Sequence, residues 1–188
     1  MILVTTPPTL EPVTLDEVKA QLRLDHSEDD DFIAAKIKAA RQNLERRCGI
    51  AMLSQTVKFS ADGFPAGPLM LPRPPLQTVT SIVYRDATHA AVTLAAGDYI
   101  VRGVAGDGFV APVTSWPATD GLSGAVEATF VAGYGATAAD VPEPLREAVR
   151  LLAAYLYDRG EAASSDAMHE LPFGVEDMVA DFRRWGFG

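Results

Sequence analysis

The chain has 188 residues, of which 48% are hydrophobic and 22% charged, and its 25 acidic and 16 basic side chains leave a formal charge of -9. This size and composition fit one globular domain, or a helical domain carrying a sizeable insertion, and exclude an extensively disordered chain. The acidic excess excludes a surface built to grip phosphate, because non-specific nucleic-acid binding rests on clustered Lys and Arg.

In chain order, residues 1–4 are too few for the apolar core of a signal peptide and run into TTPPTLEPVT, so synthesis in the cytosol is expected. No apolar run approaches the ~18–20 residues that span a bilayer. Thr14 with Glu17 three positions on forms a capping box, which predicts a short helix through about Leu24. A second helix is predicted after Ser27 in SEDDDFIAAKIKAARQNLERRCG. Acids fill its first turn, arginines its last, and Gly49 follows as a left-handed cap. Ile33, Ile37, Ala40, Leu44 and Cys48 recur at helical spacing as its buried stripe. Cys48 is the only cysteine, which excludes an internal disulfide and a multi-cysteine zinc site; its place on this stripe reads as core rather than reactive thiol.

From Leu53 to about Gly135 the period changes. QTVKFSA, PLMLP, TVTSIVYRD, AVTLAAGDYIV, GFVAP and AVEATFVAGY are β-rich runs separated by Gly, Pro and Asp, and predict a small antiparallel sheet system. The prolines of LPRPPLQ place an extended connection or edge segment there, since proline cannot donate to a central ladder. Helical spacing returns after Val141 and Pro142, with Leu145, Val149, Leu152 and Leu156 on one face, Leu151 and Tyr155 widening it, and Gly160 as a stop. After the small, polar linker EAASSDAMHE, a closing helix from about Phe173 to Trp185 is predicted with Val175, Met178, Val179 and Phe182 on one side. The expected fold class is α+β: a helical bundle with a β-rich antiparallel insertion between the second and third main helices. Residues 1–52 supply the N-terminal helices, 53–135 the insertion, 136–167 a bundle helix and linker, and 168–188 the C-terminal helix and tail, as one composite domain.

Catalytic constellations are lacking in the sequence. His26, His89 and His169 are scattered and match no metal-ligand spacing. Asp29, Asp30 and Asp31 lack the alternation and glycine of a calcium loop and are accounted for by a helix start. The glycines of VRGVAGDGF satisfy no phosphate-loop pattern and read as turn residues; GYG at Gly133 to Gly135 ends the last strand; Ser123 in GLSGAV fails the spacing of a hydrolase elbow. No catalytic residue, cofactor or metal is expected.

Three stretches coincide in order: VTLDEVKAQLRLD with DDDFIAAKIKAARQNLERRCG; FPAGPLMLPRPPLQTVTSIVYRD; and VPEPLREAVRLLAAYLYDRGE leading to LPFGVEDMVADFRRW. Together they cover nearly the whole chain and resemble the head-tail connector (adaptor) proteins of long-tailed bacteriophages and gene transfer agents. The resemblance implies a virion structural protein without catalytic activity, built on a helical bundle. It further implies a homo-oligomeric ring, about twelve-fold, in the head-tail neck, joining the portal protein to the stopper or tail-completion protein, with DNA passing through the lumen without specific binding. Such a protein is made in the bacterial host cytoplasm and has no membrane partner. The chain departs from the smallest members in the length of its insertion. An acidic lumen would let the duplex slide, although the same charge also serves the solubility of a monomer.

The chain's last residues bear on partners, because a terminus frays unless something holds it. Phe173, Met178, Phe182, Trp185 and Phe187, with Arg183 and Arg184, are residue types that anchor interfaces. They are expected to dock on the portal or on a neighbouring subunit in the manner of a helix in a groove. The alternative is that Val175, Val179 and Phe182 complete the chain's own bundle. Another neck or tail-completion protein, or a soluble ligand-binding domain or enzyme, remain the competing functions.

Overall fold

The computed structural model describes residues 1–159 and 174–184, which divide into two compact units, Met1–Pro8 with Ser54–Tyr134 and Thr9–Leu53 with Gly135–Gly188. It is of the α+β class, with helices and antiparallel sheets in sequence-separated blocks.

The first unit holds all the strands: β1 (Ile2–Thr6), β2 (Gln55–Ala61), β3 (Leu69–Met70), β4 (Leu76–Arg85), β5 (Ala91–Thr93), β6 (Tyr99–Arg102), β7 (Phe109–Pro112) and β8 (Val126–Ala132). They form a five-stranded sheet in the order β1-β2-β8-β4-β5 and a three-stranded sheet in the order β3-β7-β6, and every strand pairing is antiparallel. β8 lies at the centre of the larger sheet and alternates strictly, with Val126, Ala128, Phe130 and Ala132 buried, because successive side chains leave opposite faces. Phe130 faces Val57 on one side and Val79 on the other. The run AVTLAAGDYIV is two strands, split by a turn in which the Asp98 amide donates to Ala95 O.

Two loops fix this unit. The segment between β6 and β7 clasps the start of β4: Leu76 N donates to Gly106 O at 3.0 Å and Ala105 N to Leu76 O at 2.8 Å. A Cβ at Gly108 would collide with the Leu76 side chain, so the close approach demands glycine there. In the loop before β8, the solvent-inaccessible Asp120 carboxylate accepts from Arg85 Nε at 2.7 Å and from the Leu122 amide at 3.0 Å, with His89 Nδ1 at 3.2 Å.

The second unit packs α1 (Leu15–Leu22), α2 (Asp30–Cys48), α3 (Glu143–Asp158) and α4 (Val175–Ala180) against one another, with a short 3-10 turn at Ala138–Asp140. The Thr14 capping box is formed: the Glu17 amide donates to Thr14 Oγ1 and the Thr14 amide to Glu17 Oε2. α1 ends at Leu22, short of Leu24, because Arg23 turns left-handed (φ 58°) and its amide returns to Lys19 O and Ala20 O. The α2 stripe Ile33, Ile37, Ala40, Leu44 and Cys48 is buried throughout, and Gly49 caps the helix at φ 70°. On α3, Leu145, Val149, Leu152 and Leu156 are buried with Ala148 and Ala153 between them, while Leu151 and Tyr155 flank this face half-buried.

Polar links tie this unit together. Arg41, 3% exposed, lies between Glu11 and Glu45 at 2.6 and 2.8 Å. Burial works against its charge, but the two carboxylates outweigh that and raise its pKa. Removing one partner of such a buried pair costs about 3–5 kcal/mol. Arg146 joins Glu17 of α1, Glu143 and the Pro12 carbonyl.

β1 was not legible from residues 1–52, which predict helices alone. It is a strand because its backbone finds the edge of β2, with Ile2 opposite Phe59 and Val4 opposite Val57. Gly160, the expected stop of α3, lies outside the described residues. Among the described residues no helix is long and apolar enough to cross a membrane.

Candidate docking site

The closing segment starts at Gly174, whose φ of 93° opens the turn into α4. Val175 and Val179, one helical turn apart, are fully buried, and α4 packs on α3 and α2. Met178 and Phe182 flank them half-buried. The helix spans Val175–Ala180, shorter than expected. Beyond it the chain continues in turns, in which the Phe182 amide donates to Val179 O and the Arg183 amide to Ala180 O.

The end of the described chain is held at the C-terminus of α2. The Arg184 amide donates to Cys48 O at 2.9 Å, satisfying a carbonyl that α2 cannot satisfy itself. A Cβ added at Gly49 would meet the Cβ and carbonyl oxygen of Arg184 at van der Waals distance. Arg183 Nη2 reaches Glu176 Oε1 at 3.3 Å, while its Nε is buried without a hydrogen-bond partner. Burial pushes the Cys48 thiol up, against the opposing pull of Arg183 and Arg47, so at neutral pH it stays an uncharged core group.

Two residues that the sequence marks only as the basic last turn of α2 lie at this helix end. Arg46 and Arg47 occupy the last turn of α2, where they complement the helix dipole. The fold brings Arg183 and Arg184 to the helix end whose last turn carries Arg46 and Arg47: the Arg184 amide bonds Cys48, and Arg183 and Arg47 both act on the Cys48 thiol. Arg46 and Arg184 are exposed; Arg47 is half-buried with its Nε on Asn43. Their spacing as two pairs 137 positions apart gave no local signal. Of the other residues expected to form the interface, Phe173, Trp185 and Phe187 lie outside the described residues.

The side-chain types suit recognition: guanidinium forks take carboxylates, and half-buried apolar side chains supply contact area. Of the candidates for chemistry, Asp29, Asp30 and Ser123 are engaged structurally. Asp29 accepts from Tyr157 Oη at 2.6 Å, Asp30 from Lys19 at 2.7 Å, and Ser123 donates to Asp62 at 2.7 Å. His26 and His89 are exposed and in different units, and His169 lies outside the described residues. No group of three His, Cys, Asp or Glu side chains among the described residues is placed to hold a metal ion. The first unit has an open groove of about 240 Å³ lined by Tyr84, Asp98 and Trp116, whose ring stacks on Phe64 with centroids 4.5 Å apart. Asp98 is its only carboxylate.

Three solved chains share this fold. One, from the virion of a native gene transfer agent particle, superposes with a TM-score of 0.80 at 24% identity, over 100% of this chain and 97% of its own. One from the neck of an empty particle computed with C6 symmetry gives 0.80, and one from the neck of a native particle computed with C12 symmetry gives 0.73, with the same identity and coverage. No curated protein matches the sequence. The family described as head completion protein matches residues 11–169, most of both units, and with that match the chain belongs to the head completion protein family, structural components of the virion and not enzymes.

Proposed function

We propose that this head completion protein is the head-tail connector of a phage or gene transfer agent particle. Copies close into a ring, about twelve-fold, in the neck; the ring joins the portal to the stopper and tail and lets DNA pass. Full-length likeness to chains from a gene transfer agent virion and its neck, one of them computed with C12 symmetry, carries this conclusion. The surface around α4 is its docking element for the portal. Val175 and Val179 fasten the segment to its own unit, Met178, Phe182 and Arg183 are half-buried, and Arg184 is exposed where its amide meets the helix end that carries Arg46 and Arg47. Trp185 and Phe187 extend the same apolar and basic sequence. The docking reading and the bundle reading of the closing helix are then two faces of one element.

The test separates those faces. A full-length variant carrying Arg184→Glu, Trp185→Ala and Phe187→Ala is expected to lose at least about tenfold in affinity for purified portal rings, with an unchanged thermal unfolding curve. Val179→Asp, by contrast, is expected to lower the unfolding temperature. Portal binding at unmodified strength by the triple variant rules out this surface.

A further inference from the structure

The outer face of the three-stranded sheet has the composition of an interface core. The register sets Met70, Phe109 and Arg102 in one row across β3, β7 and β6, and Ile100 with Ala111 in the next row on the same side. The alternate positions Leu69 and Val110 are buried on the opposite side. Met70 is 41% and Ile100 40% exposed; Phe109 and Ala111 are half-buried. Arg102 is exposed and has no ion pair or hydrogen bond from its side chain among the described residues. Met, Phe and Arg are enriched at interface centres, and an open apolar sheet face around a lone guanidinium asks for a partner with a carboxylate set in apolar surroundings.

The chain carries that complement elsewhere. Its first unit contains four cations and six acids, nearly balanced, whereas the second contains twelve cations and nineteen acids. In the second unit, the segment between α1 and α2 presents Asp25, Glu28 and Asp31, exposed and without partners among the described residues. Half-buried Leu24 and Phe32 lie at its two ends. Asp29 and Asp30, between them, are already engaged by Tyr157 and Lys19 and hold the segment in place.

We infer that the Met70–Ile100–Arg102–Phe109 face of one copy docks on the Asp25–Asp31 segment of a second copy. Because the two surfaces differ, the contact is heterologous, the kind that propagates head to tail until the rotation closes a ring. Charge complementarity between the free guanidinium and the free carboxylates sets the register, and the apolar rows supply the area. This deepens the proposed ring and rests on it.

The test uses the full chain in two isotopic forms, mixed at concentrations where sedimentation shows self-association, or on purified portal rings. Treatment of the Arg102→Lys variant with a carbodiimide is expected to give isopeptide links from position 102 to Asp25, Glu28 or Asp31 that join one isotopic form to the other. Arg102→Glu is expected to weaken self-association at least about tenfold, with an unchanged circular dichroism spectrum, and Arg102→Glu with Glu28→Arg to restore part of it. Links confined to one copy, or Arg102→Glu rings of unmodified strength, overturn the inference while leaving the ring reading intact. Weakened portal binding by Arg102→Glu with normal self-association also overturns it, by assigning the face to a different partner. An unmodified chain that stays monomeric both alone and on portal rings sinks the ring itself.

Discussion

Asp120 shows how a loop is fixed by one side chain. Burial would raise its pKa, but the Leu122 amide, Arg85 and His89 all favour the charged form and hold it at about 2, below the ordinary 3.8. A carboxylate with a depressed folded value contributes its stability in full above the unfolded value and loses it as the pH falls through the folded one. The contribution of Asp120 is therefore present above about pH 4 and disappears toward pH 2. Asp120→Asn is expected to be less stable than the unmodified chain at pH 7, with the gap closing between pH 4 and pH 2 in urea titrations. A gap that stays constant across that range would mean that the asparagine lost packing and not charge. Arg41 is different, because Glu11 and Glu45 outweigh its burial and raise its pKa, so it stays charged; the triad binds the segment before α1 to α2.

Among the elements, β1 is the one that most depends on the rest of the fold. It has five residues, of which Leu3 is half exposed, and it covers the edge of β2 some fifty positions away. Without it β2 would present unpaired backbone groups, and Val57 and Phe59 would lie on a bare sheet edge. Removing residues 1–6 is expected to cost roughly 2–4 kcal/mol, the worth of a short ladder at about 1 kcal/mol per hydrogen bond, and to produce aggregation detectable by light scattering. A truncated chain that remains monomeric with an unchanged melting temperature would show that the edge is protected by other means. The same element marks where sequence reading stops. Thr14, Glu17, Gly49 and the stripe from Ile33 to Cys48 are local signals, so α1 and α2 were legible to within a few residues. β8 was legible as a strand because Val126, Ala128, Phe130 and Ala132 alternate. ILVTT carries no alternation and no turn of its own to announce pairing with β2, and the division of the strands into two sheets depends on partners far apart in sequence. The candidate site divides the same way: Val175 and Val179 follow from spacing, whereas the arrival of Arg183 and Arg184 at the end of α2 needed the Cys48 carbonyl to capture a chain 136 positions on.

At the scale of the whole molecule, charge decides between two uses of the arginine cluster. The chain is acidic by nine charges, seven of them in the second unit, the unit that holds the four arginines. If those arginines gripped the phosphates of passing DNA, they would work against that surrounding field; if they dock on a carboxylate-bearing protein, the field matters little at contact distance. The unmodified chain is therefore expected to show no retention of labelled duplex DNA at physiological salt, with any association weaker than about 10⁻⁴ M, the weak end of non-specific binding. Fluorescence anisotropy across a salt series measures this directly. Counterion release gives four arginine–phosphate contacts a slope of about -3.6 in log affinity against log salt. A slope near that value, abolished by charge reversal at Arg46 and Arg184, would identify the cluster as a DNA-contacting site and refute its assignment to portal docking. A flat, weak response agrees with the proposed connector, in which an acidic body lets the duplex slide and these arginines meet protein.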